Sequence, residues 1–547
     1  MSPMTTAPSG TRGRVEPATR ARADSGITWM RAITALFVLL AAGQHLAQAA
    51  PSKPFAAFAP EPIGLDLTES TFAADLESPW GMEFLPDGRL LVTERAGRLR
   101  VVDRNGIGVS PAVRGLPKAD HRDHGGLLDV RIDTRFATNR VIYFSYTEAG
   151  PGGAADRNGL TVARARLSAD ATSIDRFRVL FRQTPRVAGG ENLGGRLAVS
   201  ADGYLFITVG DRRVPSQRVR TQDLSFYNGK TLRIRTDGAI PADNPFVKRR
   251  GARPEIWSLG HRNPQGALVH PGSGDLWVVE HGPFGGDELN IVRAGRNYGW
   301  PVISYGCEYD TCAAIGEGTA KAGMEPPLTH WGRPGIAPSS LILYTGEQLP
   351  GWKGSVFVST LAGRAVWRLT LAGDADDLHV VNRELLFAGL GERIRDLRQG
   401  PDGALYLLTD GKQARVIRVA RRGELMPSWK SGSAPSAGAV LAQALSMPAV
   451  RAAQRVPAPQ APHRRPISAP GAAQPCLQRL DLVQQVECER DARGVDLEFA
   501  GQRDREPGAA QRRAGETPAG RRIAAGLQHA FDNPDPDLLR LRAAGPA

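Results

Sequence analysis

The chain has 547 residues, 41% hydrophobic and 23% charged, a globular balance that excludes a wholly disordered or fibrous protein and provides for a large buried core. The formal charge is +13, carried by arginine far more than lysine. Much of the basic excess sits in the two ends, and no Lys/Arg run is interleaved with aromatics, which speaks against nucleic acid as a partner.

Residues 1–49 read as an N-terminal extension ending in a secretory signal. Arg31 supplies the positive start, Ala32 to Gly43 the apolar run, and Ala47 to Ala49 the small residues for cleavage. The run is too short to cross a bilayer, so a periplasmic or secreted protein with no stable membrane span is expected.

Residues 50–422 have an all-β texture. A strand-turn signal recurs as "PDGRLLVTE" at Pro86, "NRVIYFSYT" at Asn139, "ADGYLFITVGD" at Ala201, "GSGDLWVVEHG" at Gly272, "GSVFVSTLAGRAVWRL" at Gly354 and "PDGALYLLTDG" at Pro401. Asp-Gly and Ser-Gly supply the positive φ of tight hairpins, and the alternating apolar run after each is a strand. The spacing, uneven at roughly 50 to 80 residues, fits propeller blades with insertions and predicts a six-bladed β-propeller. Residues 423–547 are rich in Ala, Pro, Arg, Gln and Gly and almost free of aromatics. They read as a poorly structured tail.

The cysteines are Cys307, Cys312, Cys476 and Cys488. None forms a C-x-x-C pair, which speaks against haem attachment or a zinc ribbon. "CEYDTC" closes a small disulfide loop in an exported protein.

Loops from all blades of a propeller converge on one mouth. In "DHGGLLDV", His124 precedes two glycines that permit close backbone approach. In "GGENLGGRLAVSADG", Glu191 and Asn192 lie between glycine pairs, and Arg196 reads as a structural charge paired within its blade. In "LGHRNPQG", Pro264 biases Asn263 to an extended conformation, and Arg262 offers a planar fork for carboxylates, while His261 reads as structural. The carbonyls of Gly282 and Pro283, with nearby Asp287 and Glu288, are hard oxygen ligands of the kind calcium takes. Arg393 and Arg395 alternate in "GERIRDLRQGPDG" and so share a strand face. Three arginines and an asparagine around one mouth suit a small ligand with several carboxylates.

Taken in order, "SPWGMEFLPDGRLLVTER", "GGLLDV", "GGRLAVSADGYLFITVGD", "LGHRNPQG", "GDELNIVRAGRNYGWP", "GIAPSS" and "RIRDLRQGPDGALYLLTD" resemble the soluble pyrroloquinoline quinone (PQQ) dependent sugar dehydrogenases, the glucose/sorbosone dehydrogenase family. More narrowly they resemble bacterial periplasmic aldose sugar dehydrogenases, from Leu76 to Val419. The resemblance implies a six-bladed propeller that oxidises an aldose at C1 to a lactone with PQQ and Ca2+. It assigns Arg262 and Asn263 to cofactor and substrate, Arg393 and Arg395 to the PQQ carboxylates, and the Gly282 and Pro283 carbonyls to the catalytic calcium. Asp287, Glu288 and Tyr298 lie where some members place a structural calcium. No haem motif is present, so a separate electron acceptor is implied.

Three positions depart from the pattern. Asn192 stands where the family has its histidine base, and His124 stands where a glutamine is common. Histidine titrates near neutrality, so His124, or failing that Glu191, is expected to take the proton. Ala362 replaces a lysine near the cofactor, with Arg364 expected to compensate. Two alternatives remain at this level: a non-catalytic secreted propeller that binds ligands, and a calcium-dependent lactonase-type hydrolase. The Arg393/Arg395 pair argues against the second, because a lactone needs no polycarboxylate clamp.

Overall fold

A computed structural model of the protein describes residues 66–150, 157–373 and 377–424. The expected export signal, the tail from residue 425, Cys476 and Cys488 lie outside the described residues.

The described chain forms six antiparallel sheets, five of them supplied by consecutive strands. Blade 1 is Pro79–Phe84, Leu90–Glu94 and Arg98–Val102. Blade 2 is Leu127–Ile132, Val141–Ala149, Arg157–Leu167 and Ile174–Arg182, with the short strand Val187–Ala188 added to its third member. Blade 3 is Gly194–Val199, Tyr204–Val209, Lys230–Arg235 and Ile256–Leu259. Blade 4 is Asn263–Val269, Leu276–His281, Asp287–Val292 and Thr329–Trp331. Blade 5 is Pro338–Leu343, Val356–Thr360, Val366–Ala372 and His379–Leu386. Blade 6 is Ile394–Gln399, Leu405–Thr409 and Ala414–Arg421, completed by Leu67–Leu76 from the other end of the described chain. The first strands of successive blades touch one another in a closed ring, so they line a common axis. This is a six-bladed β-propeller.

Each of the six strand-turn signals supplies the second strand of one blade. These strands are buried on both faces: Leu90–Glu94, Val356–Thr360 and Leu405–Thr409 have no exposed position. The reason is packing between blades. Six hydrophobic clusters occupy the six interfaces, for example Met82, Leu90 and Val92 of blade 1 against Tyr406, Leu408 and Val416 of blade 6. Sheets stacked face to face round a ring bury both sides without helices.

The axis holds charge rather than hydrocarbon. Arg196 is fully buried, with its guanidinium 3.1 Å from Asp129 and 3.3 Å from Asp396, and its ring-face contact is Trp80 at 4.2 Å. Arg398 meets Asp396 at 2.8 Å, and Arg131 meets Glu83 at 2.8 Å. Arg196 also donates to the carbonyls of Gln265 at 2.7 Å and Ser339 at 2.9 Å. The pairing expected within one blade is therefore corrected. Arg196 of blade 3 binds carboxylates of blades 2 and 6 and carbonyls of blades 4 and 5. Only a residue at the axis reaches all of them, and the network stitches the ring together beneath one end.

Candidate active site

Trp80 belongs to both this network and the cavity beside it. That cavity measures about 580 Å³, ample for a drug-sized ligand. Its walls include His124, Glu191, Asn192, Arg262, Asn263, Gly282, Pro283, Asp287, Arg393 and Arg395, which lie in or just before blades 2, 3, 4 and 6. An open groove of about 660 Å³ beside Val219 and Arg249 contains none of these groups.

Arg393 and Arg395 converge as their alternation requires. Arg393 Nε lies 3.0 Å from Asp410 Oδ2, and Arg395 Nη2 lies 3.3 Å from Asp410 Oδ1. Burial would raise the Asp410 carboxyl, but Arg395, Arg393 and Arg95 hold it below its ordinary value. Burial and the like charges of Arg393 and Arg196 lower Arg395 from its ordinary value, against the pull of Asp410. Two arginines thus share one carboxylate at the cavity wall, and Arg95 acts through space on both Asp410 and Asp123.

Arg262 sits across the cavity and is 5% exposed. Its Nη1 donates to the carbonyls of Gly282 and His281, and its guanidinium lies 5.5 Å over Trp300 and 5.9 Å over Tyr309. Burial opposes its charge, yet Tyr309, Asp211 and Asp287 outweigh it and raise the guanidinium further. Its Nε is buried without a protein partner, a donor suited to a bound ligand. Asn263 Oδ1 accepts from Gly194 N at 3.2 Å and from Gln265 Nε2 at 3.1 Å, which fixes the amide at the wall.

Asn192 has a left-handed backbone, φ 44°, and is 4% exposed. Its Nδ2 donates to Asp211 Oδ1 at 2.9 Å; the other Asp211 oxygen accepts from Trp300 Nε1 at 2.8 Å. Gly210 permits this turn, since a Cβ there would lie 2.0 Å from the Asn192 carbonyl. An amide donating to a buried carboxylate is anchored and accepts no proton. Glu191 is committed too, its Oε2 being 2.6 Å from Arg213 Nη1.

His124 is half-buried at the cavity wall. Its backbone N–H donates to Gly190 O at 3.1 Å. Arg95 grips the same loop through the carbonyls of Asp123 and Gly125. At Gly126, φ 127°, a Cβ would lie 2.1 Å from the Arg95 carbonyl, so the double glycine after His124 is what lets the loop close on Arg95.

Other expected positions do not converge. Asp287 reaches the cavity, but Oδ1 accepts from Gly282 N at 2.7 Å and Oδ2 from Ile336 N at 2.6 Å and Ala337 N at 2.8 Å. It is a loop brace. Glu288, the next residue on the strand, faces the other way, toward Asn290 Nδ2 at 3.1 Å and its cross-strand neighbour Glu280. Burial and Glu280 push its carboxyl well up. Tyr298 donates to Ile291 O at 2.6 Å and stacks on His261. Strand alternation thus splits the set of Asp287, Glu288 and Tyr298, and no cluster of three or more His, Cys, Asp or Glu suited to a metal occurs among the described residues. Arg364 is exposed and donates to Gly391 O at 3.1 Å outside the cavity, so it does not replace the lysine missing at Ala362. Lys412 does line the cavity with Ala362.

Sequence reasoning passed over Arg95, Asp410, Asp211, Trp80, Arg213, Tyr309 and Lys412. The "TDG" of the last strand-turn signal was the available cue for Asp410, because strand Leu405–Thr409 is the hairpin partner of the strand beside Arg393.

The model of the glucose/sorbosone dehydrogenase family matches residues 76–418, more than half of the chain. The chain belongs to that family. Family membership makes it an oxidoreductase of the sugar dehydrogenase kind. The aldose sugar dehydrogenase YliI of Escherichia coli is 41% identical over 349 residues, covering 63% of this chain and 91% of the relative. A crystal structure of a glucose dehydrogenase superimposes with a TM-score of 0.61 at 44% identity, over 64% of this chain and 99% of the other. The PQQ-bound aldose sugar dehydrogenase of Streptomyces coelicolor matches with a TM-score of 0.51 at 25% identity, over 64% of this chain and 98% of the other. Within the family framework the cavity is the candidate active site.

Proposed function

We propose that the chain is a periplasmic or secreted quinoprotein that oxidises aldoses at C1 to lactones with PQQ and calcium and passes the electrons to a separate acceptor. The observation that carries this reading is the pair Arg393 and Arg395 on the single carboxylate of Asp410, with Arg95 close by and Asp123 beside it as a second anion. The surplus positive charge suits a ligand bearing several carboxylates. The PQQ-bound relative supports the choice of quinone. The Cys307–Cys312 disulfide supports an exported location. No helix among the described residues is long and apolar enough to cross a membrane.

The residues present fit the quinone, with Arg393 and Arg395 for carboxylates and the partnerless Nε of Arg262 as a further donor. For calcium, the Gly282 and Pro283 carbonyls are hard donors at the wall. A calcium held at Gly282 would share with Arg262 the carbonyl that the guanidinium already meets. When bound, PQQ supplies the two-electron acceptor and calcium the Lewis acid that polarises it.

The rest falls to the chain. Arg262 and Asn263 orient the sugar against the cofactor. His124 takes the proton of the C1 hydroxyl as the C1 hydride departs, which leaves the lactone. Asn192 keeps Asp211 and the 191–193 turn in place and has no part in proton transfer. Arg95 positions His124 through the loop it grips.

The anchored Asn192 also favours a second reading, a propeller that binds the quinone without turnover. One experiment separates the two: apoprotein is reconstituted with PQQ and calcium and sugar-dependent dye reduction is followed. His124→Gln is expected to lower kcat by about 10²–10⁴-fold with PQQ binding unchanged. Near-normal turnover in that variant removes His124 as the base. Quinone binding by the unaltered protein without any turnover selects the second reading.

A further inference from the structure

The segment Cys307–Cys312 belongs to no blade strand, yet it forms part of the cavity. The disulfide closes a six-residue loop, and Tyr309 in its middle lines the cavity. The Tyr309 ring has Arg213 at 5.7 Å and Arg262 at 5.9 Å, with the Phe284 ring 6.3 Å away.

The loop is docked at its base and open at its tip. Phe284 N donates to Cys307 O at 3.0 Å and Cys307 N returns a bond to Phe284 O at 3.3 Å, which ties the loop to the Gly282-Pro283 stretch. Glu308 is ion-paired with Arg218. Asp310, Thr311 and Cys312 are exposed, and Arg333 Nη1 lies 2.9 Å from Cys312 Sγ. Tyr309 therefore stands between a fixed base and an exposed turn that the disulfide keeps short.

An aromatic face flanked by two guanidinium groups is a suitable wall for a pyranose ring. The C–H face of the sugar packs on the tyrosine while the arginines meet its hydroxyls. We propose that Tyr309 is a sugar-positioning residue and that the Cys307–Cys312 bridge holds it in place. Opening the bridge then weakens sugar binding and spares the quinone. The inference rests on the sugar dehydrogenase reading above and adds to it which residue meets the sugar and what governs that residue.

The test uses the full chain reconstituted with PQQ and calcium, with three readouts: PQQ affinity by titration, KM against kcat for a panel of aldoses, and glucose binding by calorimetry. Tyr309→Ala is expected to raise KM about tenfold with kcat within about twofold, since stacking contacts are worth about a factor of ten. Tyr309→Phe should stay within about twofold of the unaltered protein. C307S/C312S should raise KM roughly threefold, as a loosened tyrosine keeps part of its contact. Reduction and alkylation of the native bridge, with reagents removed before reconstitution, should reproduce that change and leave C307S/C312S unaffected. PQQ affinity should hold throughout. KM and glucose affinity unchanged in both Tyr309→Ala and C307S/C312S overturn the proposal, as does a parallel loss of PQQ affinity. If the unaltered protein binds glucose without oxidising it, the function reading fails alone and calorimetry still decides the role of Tyr309. Absence of glucose binding in the unaltered protein overturns both.

Discussion

The axis of the propeller holds two arginine clusters a short way apart, and they differ in how their charge closes. In the network at the axis, Arg131, Arg196 and Arg398 face Glu83, Asp129 and Asp396, three cations for three anions. At the cavity wall, Arg393 and Arg395 pair with Asp410, and Arg95 lies near Asp410 and Asp123, three cations for two anions. The first balances its charge within the protein, at a depth no ligand reaches. The second has charge to spare, in a place that a ligand reaches. The same residue type thus builds a structural rivet in one setting and a binding site in the other, and the count of nearby carboxylates decides which.

The largest way to break that comparison is at the floor. Asp396→Ala leaves Arg196 and Arg398 buried with fewer partners, and breaking a buried pair from one side costs about 3–5 kcal/mol. Denaturant unfolding should show a loss of that order. A loss under about 1 kcal/mol would mean that water reaches the axis and the network is not closed.

The mouth should respond in the opposite sense. Arg395→Ala removes one cation from a group already crowded by like charge, so the free protein should lose little stability. Affinity for PQQ should fall about 100-fold, the worth of a charge-assisted contact to a carboxylate. Equal losses of stability and affinity would erase the distinction between the two clusters.

The blades were readable because each depends on local chemistry. "PDGALYLLTDG" carries its own turn and its own alternation, and it became Leu405–Thr409. The arginines of the site were readable for the same reason, since Arg393 and Arg395 need only strand period to share a face. What escaped notice depends on chain closure. Asp410 becomes their partner through hairpin register, and Arg95 reaches the His124 loop from another blade. Arg196 looked like an ordinary blade charge because nothing local tells an axial position from any other. Glu288 and Tyr298 sit apart for the converse reason: oxygen chemistry suggested Glu288 and the family resemblance suggested Tyr298, while strand alternation and a turn bond point them elsewhere.

The smallest effect probes the loop that places His124. Asp120 accepts from Arg122 Nε at 2.8 Å and from Asn158 Nδ2 at 3.1 Å, and Gly125 and Thr147 hold the same loop through backbone bonds. The Arg122 bond outweighs burial, which acts the other way, and with Asn158 brings the Asp120 carboxyl down to about 2 from its usual 3.8. A carboxylate lowered by folding contributes stability that is complete above pH 3.8 and disappears as pH falls through about 2. Arg122 is nearly half exposed, so solvent screening keeps the contribution under about 1 kcal/mol. Asp120→Asn should therefore be slightly less stable at neutral pH, and the difference from the unaltered protein should close between pH 4 and pH 2. Turnover should drop less than in His124→Gln, because Arg95 still grips the loop from its other side. A stability difference that widens as pH falls would show that Asp120 is not held as an ion pair. The placement of His124 would then rest on Arg95 and the glycines alone.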